Sequence, residues 1–230
     1  MNLVSLFSGG KDSTYSIYKA KQERHQIQCL ITILPLSDES KLLHFPNIEI
    51  TKLQSKSMGI PQLYIKSWSN ETEIEESLLE EVLKKAKSEY SVDGMVHGGI
   101  LSEFQKNIFE KACSKLNIKL ISPLWHKDQI EYMKNLIESG FHFIITSVSS
   151  DGLDETWLGK EINLKDLSKL EQLGKKYGFN VNFEGGEAET LVVDCPLFSQ
   201  PLKILNSRKF WDGIRGRFEI LDAELDYRAR

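Results

Sequence analysis

Short apolar runs alternate with amphipathic stretches along this chain. Asn2–Phe7 is largely apolar, as is Gln28–Leu34 (QCLITIL), which Pro35 stops; runs of this kind predict buried strands. Between them, Lys11–Gln22 reads as a helix. Leu42–Gly59 is expected to be helical in its second part, and Gln62–Ile65 to be a short strand. The clearest helix is NETEIEESLLEEVLKKAKSEY, in which Ile74, Leu78, Leu79, Val82, Leu83 and Ala86 share one stripe. Asn70 is placed to cap it, with Glu73 at the third helical position. Its charges run from acidic to basic, as the helix dipole favours, and read as a solvated face. Asp93–His97 follows as a strand, Ser102–Leu116 as a helix and Lys119–Ser122 as a strand ending at Pro123. Lys127–Ser139 is a helix that stops at Gly140, before a strong strand over Phe141–Val148. Beyond it come a helix over Leu164–Tyr177 and short strands at Leu191–Asp194 and Arg217–Leu221. The C-terminal stretch RKFWDGIRGRFEILDAELDYRAR reads as one final strand with solvated charges.

Alternating strands and helices, with strands apolar nearly throughout, predict an α/β fold: a parallel sheet with helices on both faces. A boundary is expected between Pro123 and Lys127. It separates a first domain, 1–124, from a smaller α/β unit, 125–230. Hydrophobic residues make up 40% of the 230, enough for a sizeable core. A net charge of -4 argues against a life on nucleic-acid phosphates, so no direct nucleic-acid partner is expected. Cys29, Cys113 and Cys195 form no CxxC pair, which excludes a spelled-out zinc ribbon or dithiol redox motif; buried thiols in a reducing cytoplasm are expected. A chain that opens on a strand leaves no room for a signal peptide, and no apolar run approaches the ~20 residues of a bilayer span. The expectation is a soluble cytoplasmic protein with no membrane partner. His25, His44, His97, His126 and His142 show no metal-ligand spacing.

Between the first strand and the first helix stands Ser8-Gly9-Gly10-Lys11-Asp12-Ser13. Glycines at such a junction let backbone N–H groups converge, and the helix N-terminus adds about half a positive charge. Ser8 and Ser13 offer hydroxyls and Lys11 a cation. Asp12 repels phosphate unless a metal lies between, which makes it the candidate Mg²⁺ ligand. Neither G-x-x-x-x-G-K-[ST] nor G-x-G-x-x-G fits. The spacing resembles the PP-loop, SGGxDS, of ATP pyrophosphatases, which cleave ATP to AMP and pyrophosphate. Ligands of an open parallel sheet sit at the carboxyl ends of its strands. The end of the second strand, Ile33–Leu36, is therefore the candidate for adenine. His97-Gly98-Gly99, at the end of the fourth, either lines the nucleotide or forms a plain turn.

A second cluster, Glu184-Gly185-Gly186-Glu187-Ala188-Glu189-Thr190, crowds three carboxylates around a glycine pair. In an extended segment Glu187 and Glu189 point the same way, which is unfavourable unless a cation or proton sits between them. The alternative is a solvated acidic turn.

SGGKDS together with EGGEAETLVVDCPLF resembles the diphthine–ammonia ligases. LLHFPN at 42–47, GGILSEFQK at 98–106, SPLWHKD at 122–128 and GLDETWLG at 152–159 agree in order, so the resemblance covers essentially the whole chain. In length the chain is similar to single-module, archaeal-type members. The resemblance implies a HUP-type, Rossmann-like N-terminal sheet and a substrate-binding part behind it. It also implies amidation of the diphthine side chain on elongation factor 2: ATP adenylates the carboxylate and ammonium supplies the nitrogen. Ser8, Gly9, Gly10, Lys11, Asp12 and Ser13 then bind nucleotide, with Ile33, Gly98 and Gly99 beside it. Glu184, Gly185, Gly186, Glu187 and Glu189 belong to the motif for substrate binding or catalysis. The trimethylammonium of diphthine favours aromatic faces and carboxylates. Trp125 and Trp157 are its candidate partners, ordinary core packing being the alternative for both. The chain departs from the family pattern at Phe183 and Ala188, which flank the acidic motif in place of glycine and an aromatic residue. It departs again at Phe104 and Ile108, in place of Tyr and Arg, and Lys106 or Lys127 is the candidate to compensate. A ligase for a small carboxylic acid and a tRNA-modifying PP-loop enzyme are the alternative functions.

Overall fold

The computed structural model describes residues 1–36 and 47–228. Most of the LLHFPN motif, the first part of the expected 42–59 element and His44 lie outside the described residues. The chain divides into two units, Met1–Trp125 and His126–Arg230.

The first unit is a five-stranded parallel sheet: β1 (Asn2–Leu6), β2 (Gln26–Leu34), β3 (Gln62–Lys66), β4 (Gly94–Val96) and β5 (Lys119–Ile121). Their spatial order is β3-β2-β1-β4-β5. The chain thus winds outward from β1 and returns to its other side at β4. That reversal is the topological switch at which open α/β sheets bind ligands. The sheet is covered by α1 (Lys11–Gln22), α2 (Thr51–Met58), α3 (Thr72–Tyr90) and α4 (Glu103–Lys115). Alternation along the strands sends Val4, Ile31 and Met95 into one core with Leu79 and Leu83 of α3 and Phe109 of α4. Leu3 and Val96 pack with Ala20 of α1 in a separate cluster. Each such side chain, fully buried, stabilises the unit by about 1.5–3 kcal/mol before the ordering entropy is subtracted.

Two expectations for α3 need correction. The helix starts at Thr72, with Glu71 rather than Asn70 at the N-cap and no side-chain cap. Nor are all its charges solvated, for Glu75 is completely buried.

The second unit holds α5 (Gln129–Glu138), β6 (His142–Val148), α6 (Leu164–Tyr177), β7 (Ala188–Asp194), β8 (Leu202–Trp211) and β9 (Gly216–Leu225). Its sheet is antiparallel, in the order β7-β6-β9-β8. Helix α5 is capped by Asp128, whose Oδ1 accepts from the N–H groups of Ile130 and Glu131. Helix α6 has a full capping box between Asn163 and Asp166 and ends at Gly178 with φ +80°. The C-terminal stretch is not one strand but most of a hairpin, turned at Asp212, whose Oδ1 accepts from Ile214 and Arg215 N–H. Among the described residues strand β8 lies at the sheet edge and pairs only with β9, and of its ten residues only Leu202 is buried. Lys203 pairs across to Glu224 at 3.8 Å and Arg208 to Glu219 at 2.7 Å.

All three thiols are buried. Burial pushes those of Cys29 and Cys113 up to about 12, with smaller contributions from Glu89 and Glu110. Neither is a nucleophile near neutral pH. Among the described residues no helix is long and apolar enough to cross a membrane.

Candidate functional turns, one in each unit

The first turn leaves the carboxyl end of β1. Phe7 still donates its N–H to Ile31 O at 2.8 Å, and the chain then breaks away through Ser8, Gly9 and Gly10. Gly9 has φ +80°, and a Cβ there would lie 2.3 Å from Gln54 Oε1. Only glycine suits both the angle and the space. Gly10 is the N-cap of α1 and has no side chain with which to cap that helix. The Ser13 hydroxyl closes the turn, donating to Gly10 O at 3.2 Å, accepting from Ser8 N–H at 3.3 Å and lying 3.1 Å from Ser8 Oγ. Lys11 is 2% exposed, and its ammonium donates to both Asp12 oxygens at 3.0 and 2.8 Å. Asp12 is more open, 28% exposed. The result is a helix N-terminus that starts on a glycine N-cap, with a buried cation and a partly exposed carboxylate at its first two positions, a combination that suits an anion.

Sequence reasoning missed what holds this turn. Gln54 of α2 donates from Nε2 to Gly9 O at 2.9 Å, and Thr32 of β2 donates to Phe7 O at 2.7 Å. Gln62 Nε2 then bridges Thr32 Oγ1 and Thr51 Oγ1 at 2.8 and 2.9 Å. Gln54, Thr51 and Thr32 are all buried. A lone Gln or Thr in an ordinary helix or strand carries no motif, so only the fold brings these groups together.

At the end of β4, Gly98 meets the first turn of α1. A Cβ on it would lie 2.5 Å from Asp12 C and 2.6 Å from Ser13 N. Gly99 donates its N–H to Nδ1 of His97 at 3.1 Å, and His97 Nε2 lies 2.6 Å from Ser122 Oγ. Since Nδ1 accepts, Nε2 carries the ring hydrogen and donates it to Ser122. Burial, aided by the charge of Lys106, lowers the His97 pKa to about 4 and keeps the ring neutral.

Three of the expected contacts take a different form. Ile33 lies in the hydrophobic core, 3% exposed, so only its main chain is left for adenine. Trp157 is 2% exposed, with the ammonium groups of Lys160 and Lys169 at 4.8 and 5.1 Å from its ring centre. Its ring is part of the core and is not a free face for trimethylammonium. Trp125 is half-buried, and Lys106 stands 4.3 Å above its ring. Of the departures from the family pattern, Ile108 is buried in the core, whereas Phe104 is exposed.

The second turn precedes β7. Phe183 takes φ +64° and Gly186 φ +81°. A left-handed backbone at 183 accounts for a glycine in the family pattern, and here a buried phenylalanine adopts it. The carboxylate of Glu187 is turned inward upon its own loop. Oε1 accepts from Asn180 N–H and Nδ2, both at 2.8 Å, and Oε2 from Gly185 N–H at 2.8 Å. Gln129 ties this loop to α5 through Asn180 Oδ1 and Val181 N–H, each at 3.0 Å. Glu187 therefore organises the turn and does not form the like-charged pair with Glu189 that an extended chain predicts. Glu189 lies in β7, opposite Ser147 of β6, and Glu184 is partly exposed at the head of the turn.

Comparison with known proteins adds the family. The description "Diphthamide synthase N-terminal domain" matches residues 1–120, and "Diphthamide synthase C-terminal domain" matches residues 128–225. The diphthine–ammonia ligase of Danio rerio is 33% identical over 224 residues, covering 89% of this chain and 86% of that one. Those of Rattus norvegicus and Homo sapiens are 34% and 32% identical, covering 89% and 90% of this chain and 83% and 84% of theirs.

The chain belongs to the diphthine–ammonia ligase family.

Diphthine–ammonia ligases form a C–N bond, so membership carries that enzyme class, a place in diphthamide synthesis and the use of ATP. Both glycine turns lie inside the matched regions. The Ser8–Ser13 turn suits the anionic part of ATP through its helix N-terminus and Lys11. Among the described residues no group of three or more His, Cys, Asp and Glu side chains is set to hold a metal by itself. Asp12 alone, with phosphate oxygens completing the sphere, fits the habit of Mg²⁺, which is commonly bound by one or two carboxylates plus substrate phosphates.

Proposed function

We propose that this protein amidates the diphthine carboxylate of elongation factor 2 with ammonium, through an acyl-adenylate, releasing AMP and pyrophosphate. The observation that carries the reading is the Ser8–Ser13 turn, which leaves the carboxyl end of β1 and opens α1 on a glycine N-cap followed by the buried Lys11, in a chain of this family. The turn binds the β- and γ-phosphates, and Lys11 with the helix N-terminus stabilises charge as pyrophosphate departs. Asp12 would hold Mg²⁺, which would supply further neutralisation of that charge. A diphthine carboxylate oxygen bonds to the α-phosphorus as the bond to pyrophosphate breaks. Nitrogen then bonds to the acyl carbon and AMP leaves with the carboxylate oxygen. On the way from ammonium to amide the nitrogen loses two protons. Glu184 and Glu189 are assigned to ammonium or to the trimethylammonium of the substrate. Glu187, already accepting three hydrogen bonds, holds the turn that carries them.

The test is product analysis with Mg-ATP and ammonium, with and without diphthine-bearing elongation factor 2. AMP and pyrophosphate formed only with the factor, alongside amidated diphthine by peptide mass spectrometry, are expected. AMP formed equally without the factor moves the reading to a small-acid ligase. ADP and phosphate overturn the assignment of the Ser8–Ser13 turn.

A further inference from the structure

The fourth strand ends in a histidine that no nucleotide chemistry requires, yet its ring is fully committed. We propose that His97 is a positioning residue for ATP, acting through the Gly98–Gly99 turn on the first turn of α1. This rests on the assignment of Ser8–Ser13 as the phosphate site.

The argument follows three contacts. Gly98 lies so close to the backbone of Asp12 and Ser13 that a Cβ would overlap Asp12 C at 2.5 Å, Ser13 N at 2.6 Å and Asp12 O at 2.7 Å. All three are main-chain atoms, so any shift of Gly98 is passed to the helix end rather than absorbed by a rotamer. The next peptide is pinned, because Gly99 N–H donates to His97 Nδ1 at 3.1 Å. The ring in turn is held from outside by Ser122 Oγ at 2.6 Å and by the edge-on ring of Phe109 at 5.1 Å between centres. His97 is 2% exposed and Phe109 belongs to the main core. A rigid path thus runs from β5 through one imidazole and one glycine peptide to the N–H groups at the start of α1. Positioning matters there because donors that stabilise developing charge work only when fixed in advance.

The two ring nitrogens make different contacts, and two amides separate them. Asparagine carries its side-chain oxygen where Nδ1 stands and can still accept from Gly99. Glutamine reaches the Nε2 position and Ser122 but leaves Gly99 N–H without its acceptor. ATP affinity of the full chain is measured by calorimetric titration for wild type, His97→Asn, His97→Gln and Ser122→Ala, with thermal unfolding recorded for each. His97→Asn is expected within about 3-fold of wild type and His97→Gln about 10-fold weaker or more, although both lose stability. Ser122→Ala, which frees only the outer side of the ring, is expected to weaken ATP by about 3-fold. Equal affinities for His97→Asn and His97→Gln overturn the proposal, as does affinity that merely follows the unfolding midpoint. If His97→Gln does not fold, unchanged affinity in Ser122→Ala overturns it. Because ATP affinity is read without the protein substrate, tight ATP binding without amidation refutes the proposed function and leaves this inference standing. A wild-type chain that does not bind ATP refutes both.

Discussion

Two glycine pairs in this chain make turns of similar outline and use them in opposite ways. At Ser8–Ser13 the helix that follows starts on a glycine N-cap, and Asp12 pairs with Lys11 at the helix start. At Glu184–Glu189 the converging N–H groups of Asn180 and Gly185 are taken by the chain's own anion, Glu187. The first turn is the proposed place of an anion from outside, whereas the second already contains one. A run of glycines and acids therefore says little until it is known which group accepts its backbone N–H donors.

That contrast can be broken at several points. The largest effect belongs to Asp12→Asn. AMP formation is expected to fall about 10³-fold, the scale of losing a charge-stabilising group at a phosphoryl centre. Some stability should be lost as well, because the buried Lys11 keeps one amide acceptor but loses its counter-charge, so the rate is read on protein shown to be folded. A near-normal rate would mean that Asp12 holds nothing that matters to the reaction.

Acid should separate the two units. His97 titrates near 4 in the folded chain against 6.5 in the unfolded one, so the unfolded state binds more protons between those values. Its neutral burial is fully compatible with folding above pH 6.5, and about 3 kcal/mol is lost as pH falls from there to 4. Thermal unfolding across that window should show the loss in the first unit, and His97→Asn should flatten it.

Glu187→Ala leaves three N–H donors without an acceptor and should destabilise the second unit by about 2–3 kcal/mol, read by chemical denaturation. Glu187→Gln keeps one acceptor oxygen and should lose about half as much. If both changes left stability untouched and stopped amidation, Glu187 would be a contact to substrate and not the organiser of its turn.

Each turn holds a glycine at φ near +80°, and this pair sharpens the comparison most finely. Gly9→Ala meets both the angle and Gln54, and should lose about 2–3 kcal/mol together with ATP binding. Gly186→Ala meets the angle alone, since nothing lies within 4 Å of its Cβ position, and should lose about 1 kcal/mol. Equal losses would mean that Gln54 gives way and is no fixed support.

Much of the first unit was legible in the sequence because its helices present one apolar stripe and its strands are buried on both faces. Helices α1 and α6 begin and end where the pattern places them. Strand β8 was not legible: Lys203, Asn206, Ser207, Arg208 and Lys209 give no alternation, because an edge strand solvated on both sides needs none. Glu75 misled for a related reason, since local charge pattern does not say which turn of a helix the rest of the chain will cover. At the site, Ser8–Ser13 announces itself through glycine and charge. The supporting Thr32, Gln54, Gln62 and Ser122 are scattered over almost a hundred positions and make sense only once folded. The sequence does not show that the Glu187 side chain turns inward to accept from Asn180 and Gly185, because those donors meet it only once the loop has folded.

Strand β8 has one more consequence. Among the described residues no strand pairs with its outer side, and such an edge is a template on which a second β-strand can grow. Lys203, Arg208 and Lys209 stand along it, and a like strand from another molecule would bring the same charges against them. Charges placed along an exposed edge in this way discourage strand-to-strand pairing between molecules.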